Sequence, residues 1–470
     1  MTDLWRLSAT ELGAGFAAGT FTPVDALDAC LARIAATNGA FNAIVTLDEP
    51  GARAAAEAAT TRHAAGKALG PLDGIPLTVK DNLYVAGLRA TWGSLLFEDH
   101  VAPRDDIAVE RIRAAGAVIL GKTNTPEFAI SAHTDNRVFG VTRNPWDPAL
   151  TPGGSSGGAV AQVAAGMAPL AIATDAGGSI RRPSGYGGLV GLRPSTGRVA
   201  RCYGFPPLAL DFQAIGPIAR TVADVRLAFD AIKGPDPRDR LSFAAAEAAR
   251  SRPARRDRLR IGLVTGVGGT PVDPAIIAAT EAAAKAFADD LGCAVDAAPA
   301  PYDVEEIAGL FGGLSAAGLA RVVAGHDNWR ERVDPGVIPA TEAGLAMRAA
   351  DFVPMVDRLG ALRTAIPGHF TDVDVYLLPG SAAMPWPAAT RFPKTIAGKE
   401  VGPRGAAIFS TFVNALGLPG LALPAPVTGA TALPNGFQLV GNYGDDALLL
   451  DLGERYEAAR PWRDRWPEIG

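Results

Sequence analysis

Residues 151–160 read TPGGSSGGAV, and positions 153–158 hold four glycines and two serines. A flexible linker of this composition would be flanked by polar, low-complexity sequence, whereas this stretch adjoins apolar segments. A phosphate-binding loop of the Walker type requires a lysine and then a serine or threonine after its last glycine, but Ala159 and Val160 stand there. We favour a third explanation, in which the stretch belongs to a catalytic site that uses serine.

A second stretch of similar chemistry, TDAGGSIRRPSG, occupies residues 174–185. Ala176, Gly177 and Gly178 precede Ser179, and their backbone N–H groups can approach a carbonyl that this serine attacks, because glycine carries no side chain to block them. A nucleophilic serine needs a base. The five histidines stand in no recognisable triad motif, and the pattern G-x-S-x-G is absent from this stretch.

A lysine is the other candidate for the base. The segment GIPLTVKDN predicts a short buried strand that ends at Lys80. Burial disfavours the charged form of lysine and lowers its pKa, so that a neutral amine becomes available. The residues alone leave the question open, because most lysines at strand ends extend into solvent.

Helices and strands alternate along the predicted secondary structure. The capping signatures SATE and TPVD open two helices within residues 6–36. Helix-then-strand units follow at IAVERIRAAGAVILGKTN and GGAVAQVAAGMAPLAIATDAGGS, and RIGLVTG and VDVYLLPG are typical of later strands. The alternation predicts an α/β fold with a layered sheet.

Charge and composition exclude several classes of partner. The chain has 470 residues, and 44 Lys plus Arg against 49 Asp plus Glu give a net charge of −5, which provides no basic field for nucleic acid or anionic lipid. No apolar run reaches the roughly 18 residues of a membrane span, and no secretory pattern opens the sequence. The three cysteines lie in no metal-binding spacing. We expect a cytoplasmic protein without disulfides.

Eight segments, taken in order, resemble the amidase signature family. They are LSATELGAGF, GIPLTVKDN, GKTNTPEFA, GVTRNPWD, TPGGSSGGAV, ATDAGGSIRRPS, GLVGLRPSTGR and LPNGFQLVG. The set covers nearly the whole chain, and its chance assembly is negligible. The resemblance implies an α/β fold in which α-helices layer a large mixed β-sheet on both sides.

The resemblance also implies the residues of the site. The family's catalytic group is a nucleophilic serine, a bridging serine in a cis peptide bond, and a lysine, which match Ser179, Ser155 and Lys80. The residues that supply oxyanion-hole amides in the family match Ala176, Gly177, Gly178 and Ser179. Supporting roles fall on Ser156, which contributes a hydroxyl, and on Asp175 and Arg181, which brace the loop. No metal or organic cofactor is implied.

The order of segments in the family also suggests the walls of the substrate pocket. The six candidate side chains are Phe128, Ser131, His133, Tyr203, Phe205 and Trp386. Because most of them are aromatic and few cations are arranged among them, we expect a preference for aryl amides, anilides, esters or carbamates over acidic substrates.

We expect one domain over residues 1–470. It would comprise N-terminal helices at about 6–60, a catalytic core at about 70–235, a linker at about 235–258 and a substrate-shaping half at 259–470. The linker includes the basic run RSRPARRDRLR at 250–260, which we interpret as a solvated segment.

The expected function is hydrolysis of the C–N bond of an amide, with esters, anilides and carbamates as further candidates, through an acyl-enzyme on Ser179. The partner would be a small-molecule amide or carbamate, and the chain would act as a monomer or homodimer. Two alternatives stay open: a glutamine-hydrolysing subunit of a tRNA amidotransferase, and a catalytically silent scaffold. Gly187 stands where the family often has cysteine, and LRPSTGR replaces the frequent LKPTYGR. Both departures argue against the amidotransferase subunit.

Overall fold

The computed structural model describes residues 3–251, 258–426 and 433–469. The β-strands are β1 (Ile44–Leu47), β2 (Pro76–Lys80), β3 (Val118–Thr123), β4 (Leu170–Asp175), β5 (Val190–Arg193), β6 (Ala214–Ala219), β7 (Arg260–Leu263), β8 (Ala294–Ala297), β9 (Val375–Pro379), β10 (Thr395–Ile396), β11 (Lys399–Glu400), β12 (Gly420–Pro424) and β13 (Gly436–Gly441). The α-helices are α1 (Ala9–Ala18), α2 (Pro23–Phe41), α3 (Glu49–Ala64), α4 (Ile107–Ala114), α5 (Gly157–Ala164), α6 (Arg181–Gly187), α7 (Val222–Ile232), α8 (Arg240–Arg250), α9 (Pro274–Asp289), α10 (Val304–Val323), α11 (Trp329–Arg332), α12 (Ile338–Ala346), α13 (Ala349–Thr364), α14 (Ile366–His369), α15 (Thr411–Ala415) and α16 (Asp446–Ala459).

Within the described part of the chain, eleven strands form one mixed sheet. Their order is β1-β3-β2-β4-β6-β5-β12-β13-β9-β7-β8. Strands β3, β2 and β4 are parallel to one another, as are β8, β7 and β9. The strands between these groups pair antiparallel, and β5 pairs with β12, which joins the two halves of the sequence in one sheet. The predicted large mixed sheet is confirmed.

Helices cover both faces of this sheet. Successive side chains of a strand point to opposite faces. In β4, Leu170 and Ile172 belong to an apolar cluster with α1, α4, α7, α9 and α16, whereas Ala171 and Ala173 pack with residues of α5. Burial on both faces explains why the parallel strands are almost continuously apolar in sequence.

The two predicted N-terminal helices begin at their capping signatures. The Ser8 hydroxyl accepts a hydrogen bond from the Glu11 amide, and the Glu11 carboxylate accepts one from the Ser8 amide. Thr22 and Asp25 make the same reciprocal pair at the start of α2. Each pair satisfies amides that a helix N-terminus would otherwise leave without acceptors.

The stretch interpreted as a linker is partly helical. Residues 240–250 form α8, on which Ala245 and Ala246 are buried. The run FAAAEAA gives this helix an apolar face, and burial of that face holds the segment against the domain. Residues 252–257, which contain most of the basic run, lie outside the described residues.

One helix in the described chain is long and apolar enough to cross a membrane by composition. This is α10, whose most apolar window has a mean hydropathy of 1.3. Just over half of that window, 56%, is buried inside the protein, as in the core helix of a globular fold. Its contacts with α12, α13 and α15 account for this burial.

Candidate active site

Two neighbouring parallel strands carry the central groups of the site. Strand β2 ends at Lys80, and its partner β4 ends at Asp175. The carboxyl ends of parallel strands meet at one edge of a sheet, where open α/β folds place their binding sites. Alternation along β2 puts Leu77 and Val79 in the cluster on one face, so Lys80 points to the opposite face, which α5 covers.

The Lys80 ammonium lies among hydroxyl groups. Lys80 Nζ donates to Ser155 Oγ at 2.7 Å and to Ser156 Oγ at 2.9 Å, and its side chain is fully buried. Burial lowers the pKa of Lys80 to about 7, against the opposing effect of the Asp175 charge. A large fraction of the lysine is therefore neutral at physiological pH. Ser156 thus contacts the lysine directly.

The glycines of the opening stretch allow close approach of neighbouring backbone. The peptide bond between Gly154 and Ser155 is cis, as the resemblance implied. A Cβ on Gly154 would lie 2.4 Å from the carbonyl oxygen of His133, and one on Gly157 would lie 2.3 Å from Thr134 Oγ1. Larger residues at either position would displace the serine that contacts Lys80.

The loop after β4 curls around the carboxylate of Asp175. Asp175 Oδ1 accepts the Gly178 amide at 2.7 Å, and Oδ2 accepts the Ile180 amide at 3.0 Å. Gly178 has φ +101°, and a Cβ there would meet Ser410 Oγ at 2.3 Å, so the turn requires glycine. The Ser156 amide donates to the carbonyl oxygen of Ser179 at 3.2 Å and ties the two glycine-rich loops together.

This geometry changes the predicted set of oxyanion-hole donors. The Gly178 amide is engaged by Asp175. In the described structure, the amides of Ala176, Gly177 and Ser179 have no protein acceptor. These three N–H groups are the ones available to a substrate oxygen.

The Asp175 carboxylate is paired with the Arg181 guanidinium. Arg181 Nε and Nη2 donate to the two carboxylate oxygens at 3.1 and 3.0 Å, and both side chains are fully buried. Burial alone would raise the pKa of Asp175, but the charge and hydrogen bonds of Arg181 hold it well below its usual range. The pair behaves as one fixed unit, in the bracing position that the resemblance implied.

Three further side chains complete this buried network and were missed in the sequence. Arg181 donates to Asn414 Oδ1 at 2.6 Å and to Gln438 Oε1 at 2.8 Å. Ser410 Oγ donates to the carbonyl oxygen of Gly177 at 2.9 Å. The available signal was Gln438, a polar residue in the middle of the apolar strand FQLVG, where a buried amide needs partners.

A cavity of about 420 Å³ opens in front of Ser179. Its wall includes the backbone of Ala176 and Gly177, two aromatic rings, and three arginines. The rings are those of Phe311 and Phe392, and the arginines are Arg182, Arg391 and Arg404.

Only one of the six predicted pocket residues lies in this wall, and it is Ser131. Its neighbour His133 is buried, shares a hydrogen bond of 2.7 Å with Ser131 Oγ, and has its pKa lowered to about 4, chiefly by burial. Phe128 and Phe205 pack on Trp92, with ring centroids 5.3 and 4.8 Å away.

The last two predicted residues also lie away from the cavity. Tyr203 stands beneath Arg104, whose guanidinium carbon is 4.7 Å from the ring centroid. Trp386 is buried, makes an edge-to-face contact with Tyr186, and donates from Nε1 to the carbonyl oxygen of Thr390. Three of the four predicted aromatic side chains, those of Phe128, Phe205 and Trp386, are therefore buried in the core, and Tyr203 is half-buried. The cavity wall combines residues near the motifs, within 129–132 and 176–182, with residues distant in sequence.

The sheet and the site together define a class of protein. It is an α/β protein in which a buried lysine and two serines meet at the carboxyl edge of parallel strands, beside a third serine that faces a cavity.

Comparison with known proteins identifies the family. The model of the family described as Amidase matches residues 25–450. The chain is 34% identical to a glutamyl-tRNA(Gln) amidotransferase subunit of Chloroflexus aurantiacus, over the full length of both chains. It is also 34% identical to an acylamidase of Rhodococcus erythropolis, with 99% of this chain and 98% of that protein covered. The chain therefore belongs to the Amidase family of hydrolases, as its motifs predicted.

Solved structures of the family have the same fold. The structure of a 6-aminohexanoate cyclic dimer hydrolase superposes with a TM-score of 0.85 at 28% identity and covers 99% of each chain. A bacterial aryl acylamidase superposes with the same TM-score at 27% identity, covering 97% of this chain and 96% of that one.

Proposed function

We propose that the protein hydrolyses the C–N bond of an amide through an acyl-enzyme on Ser179, with Ser155 and Lys80 as the proton relay. The observation that carries the proposal is the 2.7 Å contact between Lys80 Nζ and Ser155 Oγ around a fully buried lysine. A lysine in this position can accept a proton, which an exposed and charged lysine cannot do at neutral pH.

The first half of the reaction forms the acyl-enzyme. Ser179 Oγ attacks the amide carbonyl carbon, its proton passes to Ser155 Oγ, and the proton of Ser155 passes to Lys80 Nζ. The carbonyl oxygen becomes an oxyanion, which accepts hydrogen bonds from the free amides of Ala176, Gly177 and Ser179. Protonated Lys80 then returns a proton through Ser155 to the leaving nitrogen, and the C–N bond breaks.

The second half releases the acid. Water attacks the acyl carbon along the same proton path, and the bond between Ser179 Oγ and the acyl carbon breaks. In the described structure, the hydroxyls of Ser155 and Ser179 do not hydrogen-bond to each other. Catalytic hydrogen bonds are often long before substrate binds, so this contact is expected to close in the complex.

The test uses the purified chain alone with a panel of simple amides, and it measures release of ammonia or amine. We expect turnover by the wild type and loss of turnover in Ser179→Ala. A fluorophosphonate should label Ser179, as located by peptide mass spectrometry. Ser251→Ala, which changes an exposed serine, is the matched control. A folded Ser179→Ala protein that kept more than a few per cent of the activity would refute the assignment.

A role as an amidotransferase subunit is the second candidate, because several relatives at 33–35% identity over nearly their whole length carry that name. It predicts that the chain alone hydrolyses glutamine poorly and gains activity with partner subunits. A simple amide turned over by the chain alone, without stimulation by such subunits, would favour the standalone hydrolase. We propose that the protein is a standalone hydrolase that acts in the cytoplasm as a monomer or homodimer.

A further inference from the structure

The cavity in front of Ser179 is cationic. Three arginines line it, and no aspartate or glutamate is among its described lining residues. One of them, Arg391, is already balanced, because its guanidinium pairs with Asp334. The other two, Arg182 and Arg404, have no carboxylate partner in the described part of the chain. Arg182 is buried and Arg404 is half-buried. A buried cation without a counter-charge is costly unless it serves a ligand.

Arg182 has unused donors beside the turn that precedes Ser179. Its side chain is 3% exposed, and Nη2 donates to the carbonyl oxygen of Gly154 at 2.8 Å. The buried Nε and Nη1 have no partner among the described residues. Nη1 lies 3.3 Å from the position that a Cβ on Gly178 would occupy. Other buried guanidinium nitrogens in the described chain also lack a partner, among them Nε and Nη1 of Arg201. Arg182 differs in its place, because its free donors lie in the wall of the cavity beside Ser179, where a ligand can supply the acceptor.

Arg404 also lines the cavity and lies beside Gly177, in the turn that precedes Ser179. Its Nη2 donates to Thr411 Oγ1 and lies 3.4 Å from the position that a Cβ on Gly177 would occupy. Its guanidinium stacks over Phe311 at 4.1 Å from the ring centroid, which fixes its orientation. Burial, together with the charge of Arg182, lowers the pKa of Arg404 to about 9, so the group is still a cation at neutral pH.

We infer that Arg182 and Arg404 form an anion subsite for a carboxylate of the substrate, and that the substrate is a monoamide of a short dicarboxylic acid. The inference rests on the proposed function of Ser179. The two guanidinium groups flank Gly177 and Gly178, the turn beside the oxyanion amides, so the bound carboxylate must lie close to the scissile carbonyl. Arginine is suited to this task because its planar donors match a carboxylate.

The same wall argues against an α-amino acid amide. Such a substrate brings an ammonium group as well as a carboxylate, and the described lining offers that ammonium no acidic partner. The arginines favour an acidic substrate, which is the opposite of the expectation drawn from the aromatic residues near the motifs.

The first experiment compares substrates of equal length and different charge on the wild-type protein. Malonamate, succinamate and glutaramate are assayed against the corresponding neutral diamides, with glutamine beside them. A charge-assisted pair is worth enough to make kcat/KM for the best monoamide about tenfold or more above that of its diamide. Equal or better turnover of the diamides across the series would overturn the inference, as would glutamine as the best substrate.

The second experiment changes the subsite. In Arg404→Gln, the ratio of kcat/KM for the best monoamide to that for its diamide should fall by about tenfold or more, mainly through KM of the monoamide. Arg348→Gln, which removes an exposed arginine that is not among the described lining residues of the cavity, is the matched control and should keep the ratio. Melting temperatures of both variants show whether a change reflects unfolding. An unchanged ratio in folded Arg404→Gln would overturn the inference.

A third measurement does not depend on turnover. Malonate, succinate or glutarate should slow fluorophosphonate labelling of Ser179 in the wild type and lose this effect in Arg404→Gln. If Ser179 is labelled and diamides are hydrolysed but no dicarboxylate protects, the anion subsite is wrong while the proposed function stands. If Ser179 is not labelled and no amide is hydrolysed, the proposed function fails, and the inference about the substrate fails with it.

Discussion

Lys80 Nζ and Ser155 Oγ are 2.7 Å apart, and neither side chain has more than 1% of its surface exposed. The contact joins the end of strand β2 to a loop 75 residues later in the sequence. Burial removes water from the amine, and the hydroxyl is the neighbour that can deliver a proton to it. The protonation state of Lys80 should therefore control the rate of acylation.

The pH dependence of acylation tests this control. Because the pKa of Lys80 is lowered to about 7, kcat/KM should rise with pH through an apparent pKa near that value and stay high on the alkaline side. Lys80→Arg should be nearly as inactive as Lys80→Ala, because a guanidinium stays protonated. The measurement is kcat/KM for a neutral amide between pH 5 and pH 10.

A second group requires a control in that profile. Burial raises the pKa of Glu127 to about 7, so it titrates in the same range. If Lys80 is the group that controls the rate, the Glu127→Gln variant should keep the rise of kcat/KM with pH. Loss of this rise in Glu127→Gln, or substantial amide hydrolysis by Lys80→Arg, would contradict the assignment of the base.

The two serines that contact Lys80 should differ in importance. Ser155→Ala removes the hydroxyl proposed to carry the proton, and kcat should fall about 100-fold or more. Ser156→Ala removes one hydrogen bond to the lysine and leaves the relay intact, so a loss of about tenfold or less is expected. Single-turnover acylation rates of the two variants provide the comparison. Equal losses would indicate that the hydroxyls only position Lys80.

Asp175 should matter for stability as well as for activity. Asp175→Asn leaves the Arg181 charge buried without a partner and removes an acceptor from the Gly178 turn, so we expect a loss of about 3–5 kcal/mol in the free energy of unfolding. Asp351→Asn breaks an exposed pair with Arg348 and should cost less than about 1 kcal/mol. Urea unfolding of both variants measures the difference. Similar small losses would show that Asp175 does not anchor the loop.

Much of the catalytic centre could be predicted because its parts lie in compact motifs. The buried-strand pattern of GIPLTVKDN made Lys80 a candidate base, and the resemblance of the Gly/Ser stretches to the amidase signature family supplied Ser155 and Ser179. Local sequence does not, however, show which backbone N–H groups of the loop after β4 are free to bind a substrate oxygen. The capture of the Gly178 amide by Asp175 depends on how the turn closes in three dimensions.

The cavity could not be predicted for a different reason. Phe311 lies on α10, whose buried residues occur on several of its sides, so periodicity does not show which side faces the cavity. Arg404 comes from a segment more than 200 residues after Ser179 and reaches the site through the packing of α10 against α15. Conversely, Phe128 and Phe205 are near the motifs but are used by the aromatic cluster around Trp92. Proximity to the motifs therefore located one part of the cavity wall, which includes Ser131, but not the part formed by Phe311 and Arg404.

The final prediction concerns the stability cost of the lysine itself. The pKa of Lys80 falls from 10.5 to about 7 on folding, so below pH 7 both states carry the charge and the folded protein bears the full penalty of burying it. Between pH 7 and 10.5 the unfolded chain binds more protons than the folded one. Stability of the wild type should therefore rise with pH across this window, at about 1.4 kcal/mol for each pKa unit separating the two states.

Lys80→Met removes the titrating group while keeping an unbranched side chain in the same space. Its melting temperature should exceed that of the wild type most at pH 6. The difference between the two melting temperatures should narrow toward pH 10, because the folded wild-type protein no longer buries a charge and the unfolded lysine begins to lose its proton. Lys285→Met, at an exposed lysine on α9, is the control and should show a small difference that does not vary with pH. Thermal unfolding at pH 6, 8 and 10 measures all three proteins. Parallel curves for the wild type and Lys80→Met would mean that Lys80 is protonated equally in the folded and unfolded states, and it could not then be the neutral base at physiological pH.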